Sequence, residues 1–386
     1  MKMLIVAHEQ NFTGGANRSL LGNILKLRDT YKVEIMVLVP SASGEFNKKL
    51  TDEGIKWINA KYFGVISALR HDNKDWLRRL KVKFGYLIES VAAKKVLKKV
   101  KEFNPDIIYT NTRLPIVGAL LAKKLSIPHV VHVREFGGEE PLWGKWGYEK
   151  MYELSSKIIL ISYALKEKFE EYVPSDKLVV SHNGIAYKNY IHKYKKLENE
   201  VHMILTGRLV PDKGHADAIN ALSYIYNNKL TDKNIVLHIV GSSPKRMHIQ
   251  WYEEQIKKLA VEKGVQENVV FEGEIRDMFE FRKGMDIELV CSIRETFGRV
   301  TVEAMRSDLF VIGSNSGGTP ELISNLKTGL LYEYGNYEEL AQKILLVVND
   351  NQLYNAVRKQ AFDEACNKYT VEKNCAEIYE ILKSCI

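Results

Sequence analysis

Two glutamates, Glu295 and Glu303, stand in the segment SIRETFGRVTVEAM with seven residues between them. The apolar run IELVCS before them predicts a strand, and VTVEAMRS predicts a helix that contains the second glutamate. The first-turn amides of that helix, near Gly298, Arg299 and Val300, would point at a bound anion. A carboxylate accepts two hydrogen bonds from vicinal hydroxyls. The order of these groups therefore suits one extended ligand made of a sugar, a diphosphate and a ribose. As a general acid and base the two glutamates fit less well, because the ribose would occupy one of them.

A second charged segment, ILTGRLVPDKGH, also follows an apolar run. Gly207 and Arg208 come directly after that predicted strand, and Lys213 stands five residues beyond the arginine. A fixed guanidinium and a mobile ammonium at this spacing could clamp a diphosphate. Two solvated loop cations are the alternative interpretation.

A histidine ends a third apolar run, in the segment VVHVRE. This residue, His132, is followed by Arg134 and Glu135. A strand-end histidine can hydrogen-bond a substrate hydroxyl, but an interior histidine with partners from the protein alone fits the same pattern.

Glycine turns follow two further predicted strands. Gly14 and Gly15 precede a helical stretch, where they would either let backbone N–H groups approach a phosphate or form a tight turn. Gly317 and Gly318 lead into a helix start at which Thr319 could be the cap. Neither G-x-G-x-x-G nor G-x-x-x-x-G-K-[ST] occurs, so the usual dinucleotide and nucleoside-triphosphate fingerprints are missing.

The strands that carry these groups must end side by side. Apolar runs alternate with amphipathic helical stretches, and their interiors are nearly all apolar, as is typical of parallel strands covered on both faces. One series comprises KMLIVAH, KVEIMVLVP, DIIYTN, HVVHVRE, KIILIS and KLVVSHN, and another comprises VHMILTG, NIVLHIVGS, NVVFEG, IELVCS, LFVIGS and GLLYE. The sequence predicts an α/β protein with two doubly wound parallel sheets, which bind ligands at the carboxyl ends of their strands.

The two series set the expected domain boundaries. The 386 residues fit two domains. We expect an N-terminal domain at residues 1–187, a polar linker at 188–200 and a C-terminal domain at 201–366. A helix at 367–386 is expected to pack back on the first domain.

Composition limits the possible surroundings and partners. The net charge of +8 fits nucleic acid, anionic lipid or phosphorylated ligands, and no nucleic-acid motif accompanies it. The four cysteines show no C-x-x-C pair and no zinc spacing, which favours free thiols in a reducing cytoplasm. The opening MKMLIVAHEQ is too short for a signal peptide, and no apolar run approaches the ~18 residues of a membrane span. We therefore expect a cytoplasmic protein.

Residues 74–101 combine many cations with Trp76, Leu77, Leu80, Phe84 and Leu87. This pattern favours a pair of surface helices whose apolar face lies in the core of the first domain. Peripheral docking on the anionic inner face of a membrane is the alternative.

Together these segments resemble the GT-B glycosyltransferases of family 4, also called the group 1 glycosyltransferases, over nearly the whole chain. The most specific piece is the E-x7-E segment from Glu295 to Glu303. TGRLVPDKGH is similar to the donor-phosphate loop, TGGANRS to the N-terminal glycine loop, and SHNGI to the close of the first domain. The chain departs from the family at Asp308, where glycine and proline are common, and at Arg299, an often apolar position.

The resemblance implies two Rossmann-like domains that face each other across a cleft, with the nucleotide sugar bound by the C-terminal domain. The implied catalytic residues are His132, Arg208, Lys213 and Glu295. The implied donor-binding residues are Gly14, Gly15, Gly207, Arg208, Lys213, Gly273, Ile275, Arg276, Glu295, Thr296, Phe297, Gly298, Arg299, Val300 and Glu303. Within this set, Arg208 and Lys213 would neutralise the leaving diphosphate, and Glu303 would bind the ribose.

The implied activity is transfer of a sugar, with retention at the anomeric carbon, from a UDP- or GDP-sugar to a glycan or lipid-linked acceptor in bacterial surface polysaccharide synthesis. No D-x-D motif is present, so a metal-bridged diphosphate is not expected. A catalytically inactive nucleotide- or glycan-binding relative and a UDP-sugar epimerase on the same fold are the alternative functions.

Overall fold

The computed structural model describes residues 1–12, 15–62, 75–113, 115–136, 144–186, 190–243 and 250–386, and only the backbone of residues 75–82, 144–146 and 250. The chain forms two units. The N-terminal unit comprises Met1–Gly184 together with Val371–Ile386, and the C-terminal unit comprises Ile185–Thr370.

The N-terminal unit is built on a seven-stranded parallel sheet. Its strands are β1 (Lys2–Val6), β2 (Glu34–Val39), β3 (Lys56–Asn59), β4 (Ile107–Asn111), β5 (His129–Val133), β6 (Lys157–Leu160) and β7 (Leu178–Val180), in the order β3-β2-β1-β4-β5-β6-β7. The helices that accompany them are α1 (Gly15–Asp29), α2 (Glu45–Asp52), α3 (Asp75–Phe103), α4 (Val117–Leu125), α5 (Gly144–Leu154) and α6 (Tyr163–Glu170). The strand order reverses between β1 and β4, which defines the switch point of a doubly wound sheet.

The C-terminal unit repeats the arrangement with six parallel strands. They are β8 (Glu200–Thr206), β9 (Asn234–Val240), β10 (Val269–Gly273), β11 (Ile287–Val290), β12 (Phe310–Ser314) and β13 (Leu330–Tyr332), in the order β10-β9-β8-β11-β12-β13. Its helices are α7 (His215–Asn227), α8 (Gln250–Glu262), α9 (Met278–Arg282), α10 (Arg299–Arg306), α11 (Thr319–Leu322), α12 (Tyr337–Asn349) and α13 (Asn351–Lys368). Both predicted doubly wound sheets are thus confirmed.

The last helix, α14 (Val371–Lys383), belongs to the N-terminal unit. Its buried residues Cys375, Ile378 and Leu382 pack into the same core as Leu20 and Ile24 of α1. Asn23 donates a 3.1 Å hydrogen bond from Nδ2 to Asn374 Oδ1 inside this contact.

The segment in which a linker is predicted has no regular structure over residues 190–199, and it lies on the C-terminal unit. His192 bonds Asp308 Oδ1 through Nδ1 at 2.7 Å, and the backbone N–H of Leu197 donates to Asn351 at 2.8 Å. Asp308 takes a positive φ of 61° and also pairs with buried Arg358 at 2.7 Å. Asp308, which departs from the family pattern, therefore lies in a turn that His192 and Arg358 of the same unit stabilise.

The prediction of two helices between residues 74 and 101 is wrong, because residues 75–103 form the single helix α3. The expected placement of its apolar face is also wrong where side chains are described, since Phe84 and Leu87 are 64% and 58% exposed. Ala92, Ala93 and Val96 fill the core in their place. None of the described helices is both long and apolar enough to cross a membrane.

Candidate active site

The predicted donor residues follow two neighbouring strands of the C-terminal unit. Gly207, Arg208 and Lys213 come after β8, and Glu295 comes after β11. These strands pair in parallel, with Ile287 opposite Met203, and they flank the position at which the strand order reverses. Because parallel strands end at the same edge, the switch point brings both loops together.

Lys213 and Glu295 form an ion pair at this edge, between Lys213 Nζ and Glu295 Oε1. Ser292 donates a second hydrogen bond to the same carboxylate oxygen at 2.7 Å. The alkyl chain of Lys213 lies over Gly207, where an added Cβ would meet the lysine Cδ at 3.4 Å. The side chains of the pair are 23% and 18% exposed, so the ammonium is only partly solvated. An anion that enters here meets a cation already held by a carboxylate.

The helix predicted after Glu295 is confirmed as α10, whose N-cap is Gly298. The glycine has a φ of 94°, a left-handed conformation that few other residues adopt. Phe297 is buried and meets Tyr369 edge to face at a centroid distance of 5.9 Å. This packing fixes the direction in which the first amides of α10 point, next to half-buried Thr296 and Val300.

Glu303 lies in the middle of α10 between two guanidinium groups. Arg299, one turn earlier, donates to Oε1 at 3.2 Å. Arg282, the last residue of α9, donates to Oε2 from Nη1 at 3.4 Å. Each oxygen keeps acceptor capacity for a further donor, because a carboxylate offers about four lone-pair sites.

Arg282 is itself held by Glu288 of β11, to which its Nε donates at 2.9 Å. Burial lowers the pKa of the Arg282 guanidinium, but the nearby carboxylates of Glu288 and Glu303 outweigh it and the net pKa is raised. Burial raises the pKa of the Glu288 carboxyl, and Arg282 partly offsets this. The three side chains form a charged chain from the sheet to the helix surface.

Other predicted donor residues stand apart from these contacts. Arg208 is exposed, and no ion pair joins it to Glu295 or Glu303 within the described part of the chain. Gly273 and Arg276, after β10, are exposed, and Ile275 is half-buried. At the other proposed helix start, Thr319 is the first residue of α11 with Gly318 as N-cap, so the prediction that Thr319 caps this helix is wrong.

In the N-terminal unit, His132 is fully buried on β5. Its Nδ1 accepts a 2.5 Å hydrogen bond from the Tyr109 hydroxyl and a weaker one, at 3.3 Å, from Arg134. Burial first, and then the Arg134 charge, hold the pKa of His132 well below its usual range. Because Arg134 can only donate, the neutral ring carries its proton on Nε2. That N–H has no partner among the described residues.

The groups around His132 are also held in place. Arg134 donates from Nε to Asn111 at 2.6 Å and contacts Asn183 through Nη1. The Nε2–H of His132 is a buried donor, and its bond to a ligand oxygen stays a prediction.

Of the predicted glycine loop, Gly15 is the first residue of α1, and Gly14 lies outside the described residues.

Sequence reasoning missed Arg282, Glu288 and Ser292. One signal was present, since Glu288 is a charged residue inside the otherwise apolar strand IELV. A buried charge requires a partner, and that requirement leads to Arg282. No group of three or more His, Cys, Asp or Glu side chains that could hold a metal ion occurs within the described residues.

Comparison with known families divides the chain near residue 188, close to the boundary between the two structural units after residue 184. The family described as glycosyl transferases group 1 matches residues 187–364, and glycosyltransferase family 4 matches residues 13–188. The chain belongs to the GT-B glycosyltransferases. Within this glycosyltransferase, the group 1 match includes Lys213, Glu295 and Glu303, and the family 4 match includes His132.

Individual relatives are distant. The glycosyltransferase is 27% identical over 230 residues to CapM, a capsular polysaccharide biosynthesis glycosyltransferase of Staphylococcus aureus. That alignment covers 56% of this chain and 58% of CapM, so the chain spans less than two thirds of that relative. This chain is also 24% identical to N-acetyl-alpha-D-glucosaminyl L-malate synthase of Bacillus anthracis, in an alignment that covers 75% of this chain and 79% of the synthase.

A solved structure confirms the GT-B fold. HepE of Anabaena, in complex with UDP, matches over 100% of both chains with a TM-score of 0.79 and 22% identity. The same protein in complex with UDP-glucose matches with a TM-score of 0.75, again over both whole chains.

Proposed function

We propose that this glycosyltransferase moves a sugar from a nucleotide sugar, a UDP- or GDP-sugar, to a glycan or lipid-linked acceptor with retention at the anomeric carbon. The observation that carries the proposal is the order of groups at the β8–β11 edge. Glu295 with Lys213 comes first, the first-turn amides of α10 follow, and Glu303 comes last. Sugar, diphosphate and ribose of one donor molecule match that order.

Each group has a role that its chemistry supports. Lys213 exchanges its contact with Glu295 for the diphosphate and neutralises the charge that develops as the phosphate leaves. Glu295, freed from the lysine but still bonded by Ser292, accepts hydrogen bonds from donor sugar hydroxyls. Glu303 accepts the ribose hydroxyls. The departing phosphate oxygen takes the acceptor proton, so the reaction needs no separate general base.

Nucleoside diphosphate binding is the first test. The chain is heated with UDP, GDP, ADP, CDP or NAD, and the unfolding temperature is followed by dye fluorescence. A ligand at 100 times its Kd stabilises the folded state by about 2.7 kcal/mol. We expect UDP or GDP to raise the unfolding temperature, and Glu303→Ala to reduce the shift. Flat curves with all five ligands would contradict the donor-site assignment.

Product analysis separates transfer from the two other functions that suit this fold. The donor that responds is incubated with and without acceptor glycans, and products are identified by anomeric proton NMR. Transfer with the donor's own anomeric configuration supports the proposal. A changed sugar nucleotide formed without acceptor would indicate an epimerase, and binding without any product would indicate a binding protein.

We further propose that helix α3 places the enzyme on an anionic membrane, where a lipid-linked acceptor is found. Glu89, Ala92, Ala93, Val96 and Val100 are buried, and Glu89 accepts the N–H groups of Ile116 and Val117 at 2.6 and 2.7 Å. These contacts fix which side of α3 faces the sheet.

The opposite side carries a second apolar stripe, Phe84, Leu87 and Val91. At about 100° per residue this outer stripe lies on the far side of α3 from the buried residues. All three side chains are more than half exposed. Exposed lysines, Lys94, Lys95 and Lys98, continue the same side toward the C-terminal end of the helix. An apolar stripe with adjacent cations suits the interface of an anionic bilayer.

Sedimentation with lipid vesicles tests this surface. We expect more protein to sediment with phosphatidylglycerol vesicles than with phosphatidylcholine vesicles at low salt. Since burial of one such side chain is worth about 1.5–3 kcal/mol, replacing the outer stripe with serine should weaken binding at least tenfold. A matched control replaces Val261 and Leu346, which are exposed apolar residues of the C-terminal unit. Equal sedimentation with both lipids, or equal loss in the control, would exclude this role.

A further inference from the structure

Arg282 is a buried cation of the C-terminal unit that contacts Glu303 and that the donor-binding roles above do not use. The Arg282 side chain is 2% exposed and its partner Glu288 is fully buried. Ile287 and Leu289 point into the hydrophobic core of the unit. Alternation along the strand therefore puts Glu288 on the other face of the sheet, below α10.

A buried ion pair needs an explanation other than stability. Removing two charges from water costs several kcal/mol per ion, and well-packed apolar residues of similar size are often at least as stable. What such a pair does provide is a fixed position. Glu288 holds Arg282 through Nε, and Arg282 reaches Glu303 with Nη1.

The two arginines that contact Glu303 differ in how firmly the protein holds them. Arg299 lies on the same helix, and its side chain is 27% exposed, so it can leave Glu303 without losing contact with water. Arg282 comes from another element and has no access to solvent comparable to that of Arg299. Of these two arginines, Arg282 is the one that can hold the orientation of the Glu303 carboxylate while ligands exchange.

We propose that Arg282 is a positioning residue that keeps the Glu303 carboxylate in one orientation for the two hydroxyls of a nucleotide ribose. This inference rests on the proposed function, which assigns the ribose to Glu303. Two hydrogen bonds from a cis-diol require both carboxylate oxygens to face the ligand at once. A carboxylate free to rotate would lose the discrimination between ribose and deoxyribose before the site lost its affinity for the diphosphate.

Discrimination between ribose and deoxyribose is the readout that a merely structural role would not change. The Kd of the nucleoside diphosphate and of its 2′-deoxy form is measured by calorimetry, with UDP and 2′-deoxy-UDP as the first pair. A hydrogen bond to a charged group is worth about 1.5–3 kcal/mol, so the intact protein should prefer UDP at least tenfold. Glu303→Ala should reduce the preference to about one.

The variant that tests Arg282 is R282M/E288M, which removes both buried charges and leaves neither unpaired. We expect its preference for UDP to fall at least threefold, with a smaller change in the Kd for 2′-deoxy-UDP. R282K keeps a charge without the planar fork, and we expect an intermediate preference. R358M is the matched control, because it removes another buried arginine of this unit, one that pairs with Asp308. The preference in R358M should equal that of the intact protein.

The outcomes separate the two proposals. If Glu303→Ala abolishes the preference but R282M/E288M and R282K keep it, the positioning role is overturned and the donor site stands. If the intact protein shows no preference, or Glu303→Ala keeps it, the ribose assignment fails and the positioning role fails with it. If R358M loses the preference as R282M/E288M does, the effect belongs to stability and Arg282 has no particular role.

Discussion

The most direct test of the site replaces Lys213 with methionine. Methionine keeps an unbranched chain over Gly207 and removes the charged ammonium with its hydrogen bond to Glu295. The half-buried setting of the pair corresponds to an effective dielectric constant of about 20, at which two unit charges ~4 Å apart interact by about 4 kcal/mol. If ground-state binding takes up to about a third of this energy, about 2.7–4 kcal/mol is left for the transition state, which corresponds to a 10²- to 10³-fold lower kcat.

The assay measures initial rates of nucleoside diphosphate release at saturating donor and acceptor. Lys257→Met is the matched control, because Lys257 also pairs with a glutamate, Glu253, but on the exposed surface of α8. We expect K257M to keep the intact rate. The double variant K213M/E295Q adds a second comparison, since it removes the carboxylate that K213M leaves beside the diphosphate. Its kcat should equal or exceed that of K213M if charge repulsion contributes to the loss.

A rate in K213M within threefold of the intact enzyme would refute the assignment of Lys213 to the leaving diphosphate. Loss of donor affinity with kcat unchanged would also refute it, because the charge would then act equally in the ground state and the transition state.

Two further predictions concern stability. Gly214→Ala should destabilise the C-terminal unit by about 2 kcal/mol or more, because φ is 67° and an added Cβ would overlap the carbonyl oxygen of Cys291. Gly264→Ala has a similar φ and open space around it, so calorimetry should show a clearly smaller loss there. Burial lowers the pKa of His129 from 6.5 to about 4, so the unfolded chain takes up a proton first and stability falls as pH drops below about 6.5. Urea unfolding should show that His129→Gln reduces the loss between pH 8 and pH 5 by about 2 kcal/mol. An unchanged pH dependence in that variant would contradict the buried neutral state of His129.

Most of the fold could be predicted from the sequence, because buried parallel strands are apolar throughout and helical stretches separate them. Strand β3 was missed, since its four residues KWIN lie at the sheet edge with none fully buried. An edge strand satisfies fewer burial constraints and leaves a weaker pattern. Helix α3 was misjudged for a related reason. Small residues, Ala92 and Ala93, fill its core contact, while larger apolar residues stay outside.

The site could be predicted only in part. Lys213 and Glu295 both follow apolar runs, and the rule that parallel strands end at one edge predicts their meeting. Arg282 lies 21 positions before Glu303 and 6 before Glu288, in a segment rich in charged residues. The neighbouring sequence does not show whether Arg282 is buried or solvated. Its burial depends on which face of β11 carries Glu288, and only the three-dimensional structure gives that face.

The return of α14 to the N-terminal unit has a consequence for biosynthesis. Residues 1–184 leave the ribosome first, yet the core that Leu20 and Ile24 share with Ile378 and Leu382 cannot close until the last helix follows. At about 5–20 residues per second, synthesis of Ile185–Thr370 delays that closure by roughly ten seconds or more. Meanwhile the C-terminal unit, which is continuous in sequence, can fold by itself. A chain that ends at residue 370 would therefore contain the whole C-terminal unit but leave an apolar surface on α1 that chaperones and proteases can recognise.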